Sequence, residues 1–217
     1  MKNEIMRITA HLRCGVCSDG CLPLDGILYA QMMRRTYGAE EVTLPGDMAQ
    51  HSGGHGSVPL ARKAEHGVWF YAASFADWGD AWVDDRSFWV KRFDMAQSDL
   101  IDFGTRKGSL TTSEGRYKGY NMPVFVRHAL CVHWYAVGDM ARVSDLLSDV
   151  THIGKKTAQG WGRVNGWEIA PWPHDWSVRR DGQLTRAVPA REGGTLYGIR
   201  PPYWRAGNQV LCQLPAA

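Results

Sequence analysis

The order of apolar and polar side chains along the chain predicts strands that alternate with helices. Residues 5–12, IMRITAHL, alternate apolar with polar side chains, which is the period of a half-buried strand. Apolar residues then recur at helical spacing from Leu24 to Met32, and Gly38 supplies a stop. Residues 67–75, GVWFYAASF, predict a second strand.

The second half of the chain repeats this alternation. Residues 122–138, MPVFVRHALCVHWYAVG, are a strongly β-prone run. Asp139 is a predicted N-cap, and the apolar residues between Met140 and Val150 form one helical stripe. Residues 163–170, RVNGWEIA, predict the strand that follows. The order strand, helix, strand, strand, helix, strand predicts an α+β fold of the ferredoxin-like or RRM-type (βαββαβ) class.

Two further segments do not fit this core and predict additions to it. Residues 104–120 hold four glycines, four cations and two tyrosines with almost no aliphatic side chains. They predict the exposed tip of a long β-hairpin, within an insertion at about 76–121. Residues 171–217 are rich in proline and predict an irregular C-terminal extension packed on a domain of residues 1–170. RPPYWR at 200–205 is its aromatic and basic centre.

Composition limits the class of protein more than its function. The chain has 217 residues, of which 44% are hydrophobic, enough for a folded core. No apolar run approaches the roughly 20 residues that span a bilayer, and the amino terminus lacks a signal-peptide pattern, so we expect a cytoplasmic protein without a membrane partner. Five cysteines fit a reducing compartment. The net charge of +3 is too small to indicate nucleic-acid binding, which must depend on where the cations lie.

The segment HIGKKTAQGWGRV, residues 152–164, is the most informative motif and is called the glycine-rich loop below. Its glycines allow close backbone approach and outward-pointing amides, and its lysines add positive charge, so it is suited to phosphate. A nucleotide-binding P-loop is excluded because Asp149 stands where the earlier glycine belongs and no helix follows. A dinucleotide fingerprint fails because Asn165 replaces the third glycine. A polynucleotide backbone remains, and we expect no cofactor.

The loop contains an ordered pattern: glycine, two basic residues, a short spacer, and then glycine, aromatic, glycine. This pattern lies between the second predicted helix and the last predicted strand. It resembles the glycine-rich loop of the RAMP superfamily, the RNA-binding subunits of class 1 CRISPR effector complexes. The first strand leading into LPLDGILYAQMMRR at 22–35, the chain length and the insertion look most like the small subunit that caps the guide RNA's 5′ handle in type IV systems.

The resemblance implies a non-catalytic crRNA-binding subunit of a ribonucleoprotein complex that serves antiviral defence. Its partners would be the 5′ handle of the crRNA, target DNA near the protospacer-adjacent motif, and the backbone, large and small subunits of the complex. The family's capping subunit also carries a protruding hairpin, or thumb, that contacts the handle and target DNA. The predicted hairpin tip is the natural counterpart of this thumb, and its alternative is a surface loop without function.

The resemblance also assigns roles to individual residues. The loop would be shaped by Gly154, Gly160 and Gly162. Phosphate would be contacted by Lys155, Lys156 and Arg163, with Arg34 and Arg35 on the side of the first helix. Trp161 either stacks on a base or anchors the loop to the core. The thumb would contact nucleic acid through Arg106, Lys107, Arg116, Tyr117, Lys118 and Tyr120.

A cysteine cluster offers a different class of function. Cys14, Cys17 and Cys21 have spacings that zinc ligands use. A structural zinc site needs a second half, and the histidines at 51 and 55 would have to fold back to supply it. These cysteines are therefore weak metal candidates, and the alternative is a turn of small residues between the first strand and the first helix. The corresponding function is a zinc-bearing interaction module.

The eight histidines raise the question of catalysis. Processing endoribonucleases of the same superfamily cleave RNA by attack of a 2′-oxygen, helped by a general base or acid that is often histidine. The candidates by position are His11, His51, His55 and His66. No motif marks any of them, and a lone histidine is more often a surface or core residue than a catalyst. We therefore expect no enzyme activity and keep the metal-independent endoribonuclease as the alternative.

Overall fold

A computed structural model describes residues 2–18, 20–38, 58–102, 104 and 110–216. The helices in this part of the chain are α1 (Leu24–Tyr37) and α2 (Met140–Ser148). The strands are β1 (Glu4–Leu12), β2 (Val16–Cys17), β3 (Arg62–Glu65), β4 (Val68–Tyr71), β5 (Trp82–Lys91), β6 (Tyr120–Ala129), β7 (Cys131–Gly138), β8 (Val164–Pro171), β9 (Arg179–Arg180), β10 (Gln183–Leu184), β11 (Val188–Pro189), β12 (Thr195–Gly198) and β13 (Gln209–Gln213). No helix in these described ranges has the length and apolarity to cross a membrane.

A three-stranded antiparallel sheet in the order β7–β1–β8 forms the centre of the molecule. The apolar residues of β1, such as Met6 and Ile8, are fully buried on one face of this sheet. The buried residues of the two helices, such as Leu28 on α1 and Val143 on α2, belong to the same core. Asp139 caps α2 by accepting from the N–H of Arg142. The predicted first strand, both helices and the last strand are therefore confirmed.

The strand predicted at 67–75 divides into two parts. The first part, β4, pairs with β3 in a short hairpin. The chain then runs along the free edge of β7, where the N–H of Ser74 donates to the carbonyl of Tyr135 at 2.9 Å and Asp77 and His133 exchange backbone hydrogen bonds. These contacts are isolated bridges rather than a regular ladder. The fold has mixed helices and mostly antiparallel strands, as predicted, while the specific βαββαβ arrangement stays a prediction.

A long hairpin extends from the central sheet. β5 and β6 pair in register from Trp82 opposite Ala129 to Lys91 opposite Tyr120, and β2 pairs with the other edge of β6. The β-prone run at 122–138 is thus two strands in two sheets, separated at Leu130. The predicted hairpin exists, whereas its limits of 76–121 and the domain limit at residue 170 stay predictions. The sequence does not predict β5, because both faces of this strand are largely exposed and its side chains therefore follow no burial pattern.

The C-terminal segment contains short strands that the sequence does not predict, and the irregular extension packed on residues 1–170 stays a prediction. It forms the β9–β10 hairpin and a three-stranded sheet in the order β11–β13–β12, called the C-terminal module below. Its small core includes Val188, Ile199 and Cys212 and packs on Phe70 and Phe75. These strands have only two to five residues, so their side chains show too little periodicity to predict them.

Candidate nucleic-acid interface

The glycine-rich loop is held flat against the segment that follows β1. The N–H of Lys155 donates to the carbonyl of Cys17 at 2.7 Å, and the N–H of Gly162 donates to the carbonyl of Gly15 at 2.8 Å. The loop closes on itself through the N–H of Ile153, which donates to the carbonyl of Gly162 at 2.8 Å. The backbone of this loop therefore has a fixed shape at its two ends, with the turn at 156–160 between them.

Two of its glycines are required by close backbone contacts. Gly162 has φ of +72°, and a Cβ there would lie 1.8 Å from the carbonyl oxygen of Ile153. Gly154 has φ of +80°, and its Cβ would lie 2.6 Å from the carbonyl oxygen of Cys17. Both positions exclude a side chain by geometry as well as by conformation. The flatness of the loop against its neighbours depends on these two glycines.

The cysteines near the loop make contacts within the protein. The thiol of Cys14 donates to the carbonyl of Gly160 at 3.1 Å and accepts from the N–H of Arg163 at 3.3 Å. Cys17 is buried, and its backbone pairs with the loop and with β6. Within the described residues, no three cysteine, histidine or acidic side chains gather as a metal site, so Cys14, Cys17 and Cys21 are not brought together as ligands. His51 and His55 lie outside the described residues.

The two adjacent lysines of the loop point to different neighbours. Lys156 is in the left-handed region with φ of 60°, and its Nζ lies 4.2 Å from the centre of the Trp89 ring on β5. This is a cation–π contact between the loop and the hairpin. Lys155 and Arg163 are exposed. The structure thus separates one lysine that joins two elements from cations on the surface.

Trp161 lies between the loop and the hairpin. Its ring is half-buried and packs against the small cluster of Cys17, Val124 and Val126. It also meets the ring of His128 edge-on, with the ring centres 6.3 Å apart. These contacts join the loop to the hairpin, and the two predicted roles of Trp161, anchoring the loop to the core and stacking on a base, stay predictions.

The two arginines of α1 also differ in their surroundings. The Nε of Arg35 donates to Asp149 Oδ2 at 2.8 Å, and its guanidinium also pairs with Asp145, so it joins α1 to the end of α2. The guanidinium of Arg35 is thus committed to a contact between helices. Arg34 is exposed and lines the cleft described next.

A cleft of about 710 Å³ lies between α1, the glycine-rich loop and the C-terminal module, and is called the handle cleft below. Arg34 lies on the helix side, His152 and Lys155 on the loop side, and Tyr203 and Trp204 on the side of the C-terminal module. No aspartate or glutamate occurs among its described lining residues. Cations and aromatic rings therefore share this surface. The sequence shows the RPPYWR motif at 200–205 but does not predict this cleft, because the cleft depends on contacts between distant segments.

The predicted thumb residues are only partly described. Arg106 and Lys107 lie outside the described residues. Tyr117 packs edge-on against Phe93 with ring centres 5.0 Å apart, and Tyr120 packs on Trp89 at 4.9 Å. Arg116 and Lys118 are exposed, and the carbonyl of Arg116 accepts from Lys91 Nζ at 2.7 Å. The two tyrosines thus stabilise the hairpin internally, while the two described cations lie on its surface.

The hairpin has one packed face and one open face. Val124 and Val126 pack towards the glycine-rich loop. On the opposite side Trp82, Phe88 and Phe125 are exposed by 41%, 55% and 59%. The alternation of aromatic and charged residues in β5 was the sequence signal for this open face, which sequence analysis missed.

One arginine orders the base of this open face. Arg127 lies over the Trp82 ring, 3.9 Å from its centre, and donates to both carboxylate oxygens of Asp84, at 2.7 and 2.8 Å. Hydrogen bonds from Arg127 lower the pKa of Asp84, which favours the charged pair. A paired Asp84 leaves the open face aromatic and nearly neutral at this end.

Comparison with known proteins decides the family. The family model described as CRISPR type IV associated protein Csf3 matches residues 4–215. The chain belongs to the Csf3 family. The match confirms the predicted membership in a type IV CRISPR-associated family. The matched residues include every helix and strand described above. No curated protein matches the sequence.

One solved structure shows a distant likeness to this Csf3 family member. It is described as a "Cryo-EM structure of the Type III-B Cmr-beta bound to cognate target RNA", and one of its chains is 10% identical with a TM-score of 0.37. The match covers 78% of this chain and 61% of the other, so this chain spans less than two thirds of that chain's length.

Proposed function

We propose that this Csf3 family member is a non-catalytic crRNA-binding subunit of a type IV CRISPR effector complex, and that its handle cleft caps the 5′ handle of the guide RNA. The observation that carries the proposal is the composition of this cleft. It combines the exposed cations Arg34 and Lys155 with the rings of Tyr203 and Trp204, and its described lining has no carboxylate. Single-stranded RNA is bound by this combination of positive charge and stacking surfaces.

The fixed backbone of the glycine-rich loop supports the same proposal. The backbone N–H of Lys155 donates to the carbonyl of Cys17. The loop is closed by the hydrogen bond from the N–H of Ile153 to the carbonyl of Gly162. A preformed loop loses little conformational entropy when it binds, so its phosphate contact costs less than one from a disordered segment. Phosphate contacts of this kind depend on salt because each releases counterions.

The core supports assignment to the RAMP class in the βαββαβ arrangement. Residues 72–77 lie beside β7 and add a fourth chain segment to the sheet. The order is then 72–77, β7, β1 and β8. Both helices cover one face of this sheet. The glycine-rich loop joins α2 to β8, which is its position in the resemblance.

The open face of the hairpin supports a second contact, with target DNA near the protospacer-adjacent motif. The exposed rings of Phe88 and Phe125 lie on one side of the hairpin, and Arg86 lies 5.3 Å from the centre of the Phe125 ring. Bases of an opened duplex stack on such rings. The backbone, large and small subunits of the complex are the proposed protein partners.

The test is the salt dependence of binding to 5′-handle RNA. We expect Lys155→Ala and Arg34→Ala each to weaken binding, and each to reduce the slope of log affinity against log salt by roughly one or less. Lys2→Ala, which removes an exposed cation far from the cleft in sequence, is the matched control and should leave the slope unchanged. An unchanged slope in the Lys155 and Arg34 double variant would contradict phosphate contacts in the cleft.

The endoribonuclease is the second candidate, and the outer face of the central sheet is the place to test it. His133 lies on β7 opposite Thr9, whose Oγ1 lies 2.9 Å from its Nδ1, and Cys131 Sγ lies 3.4 Å from its Nε2. His11 faces Glu168 at 3.5 Å. With both ring nitrogens engaged, His133 has less capacity to accept a proton from RNA. Metal-free cleavage of repeat RNA that His133→Ala abolishes would replace the non-catalytic proposal.

A further inference from the structure

Trp204 is the aromatic side chain most open to a ligand in the handle cleft. Trp204 lines this cleft and is 52% exposed. Among the described residues, no ring and no cation stacks on it. An indole ring left half open beside Lys155 and Arg34 therefore offers a flat stacking surface next to positive charge.

Trp204 is carried by a rigid support rather than by a loose tail. The neighbouring Tyr203 donates its hydroxyl to Asp25 Oδ1 at 2.6 Å, at the start of α1. Gly26 leaves room for the Tyr203 ring, since a Cβ there would lie 3.0 Å from Tyr203 Cε2. These contacts fix the residue before Trp204 against the helix that carries Arg34.

A buried arginine completes this support. Arg186 lies 3.6 Å from Asp25 and is 1% exposed. Its guanidinium donates to the carbonyls of Ala73 at 3.0 Å and Ile199 at 2.8 Å, and also to that of Tyr71. It therefore ties the C-terminal module to the central part of the fold. A preorganised wall of this kind avoids the entropy cost of ordering a loop when a ligand binds.

We propose that Trp204 forms a base-stacking subsite, on which one nucleobase of single-stranded RNA lies while Lys155 and Arg34 bind the phosphates beside it. The inference rests on the proposed function and deepens it, because it adds a base contact to the phosphate contacts. Every nucleobase has a π-face, so the subsite selects single-stranded over paired RNA rather than one base over another.

The charges around Trp204 favour RNA over a protein segment. An apolar peptide on this ring would leave the exposed Arg34 without neutralising charge. The described lining offers no carboxylate to pair with it instead. Single-stranded RNA offers both a base for the ring and phosphates for the cations of this cleft.

The experiment measures handle-RNA binding by Trp204→Ala and Trp204→Phe, with RNAs that carry an abasic site at each handle position in turn. We expect Trp204→Ala to weaken binding about tenfold with an unchanged salt slope, and Trp204→Phe to keep most of the affinity. One abasic position should weaken binding by the wild-type protein and have little further effect on Trp204→Ala. Leu211→Ala, which removes a large exposed apolar side chain of the C-terminal module that does not line the cleft, is the control for handle binding.

The outcomes separate this inference from the proposed function. If Trp204→Ala binds like the wild type while Lys155→Ala and Arg34→Ala bind weakly, the stacking subsite is wrong and handle binding stands. The subsite is also wrong if Trp204→Ala reduces the salt slope, or if its loss of affinity is the same with an abasic site at every position. In either case the ring affects binding through its neighbours and not by stacking on a base. Absence of handle binding by the wild-type protein overturns both. Thermal unfolding of each variant identifies any loss caused by misfolding.

Discussion

Gly162 shows at the scale of one residue why the glycine-rich loop has its sequence. Its φ of +72° and the carbonyl of Ile153 leave no space for a methyl group. We expect Gly162→Ala to lower the free energy of unfolding by about 2 kcal/mol or more, from strain and displaced backbone. Gly160→Ala is the matched control, because a Cβ at φ of +91° there meets nothing within 4 Å. It should cost about 1–2 kcal/mol. Urea denaturation measures both, and equal losses would contradict the close contact.

The sequence predicts residue types in the loop better than it predicts their neighbours. Lys155 and Lys156 are adjacent and chemically identical, yet one lines the handle cleft and the other lies over Trp89. The difference arises because the backbone at Lys156 is left-handed and because β5 happens to pass beside it. Contacts between segments so distant in sequence leave no local pattern. The glycines were predictable because their positive φ angles are a local requirement, whereas the close contact of Gly154 with Cys17 is not.

At the scale of the elements, Arg34 and Arg35 on α1 have separate tasks. Arg35 joins α1 to α2 through Asp145 and Asp149, whereas Arg34 lines the handle cleft. We expect Arg35→Ala to lower the free energy of unfolding by roughly 1 kcal/mol, the range of a partly exposed ion pair, with little change in handle binding. Arg34→Ala should do the reverse. Denaturation and RNA binding, measured on both variants, test this, and the same effects in both would contradict it.

The elements that sequence analysis predicted have a clear period, and those it missed do not. β1 and α2 each bury one face, so their apolar residues recur with the period of the element. β5 exposes both faces, and its tryptophan, phenylalanine and charged residues follow no burial pattern. β9, β10 and β11 have two residues each, too few for any period. Burial on one side is what makes an element readable from sequence.

At the scale of the molecule, the C-terminal module completes the candidate site. The sequence predicts an irregular addition at residues 171–217. Within this segment, Tyr203 and Trp204 form one wall of the handle cleft. The contact of Tyr203 with Asp25 spans most of the chain and has no local signal. The loop and α1 were predictable as a basic surface, whereas the cleft required all three segments to fold together. The wall formed by Tyr203 and Trp204 could therefore be found only in the structure.

The stability of the molecule should depend on pH through His133. Partial burial lowers its pKa, and Arg7 and His11 add to this while Asp77 and Glu168 oppose it. The folded protein then binds fewer protons than the unfolded chain, whose histidine pKa is about 6.5. The free energy of unfolding should therefore fall as pH decreases through about 6.5 and be constant above about 7.5. Thermal unfolding from pH 8 to pH 5 should show a smaller decrease in His133→Gln than in the wild type, with a constant difference at the alkaline end. Parallel curves over the whole range would contradict the role of His133.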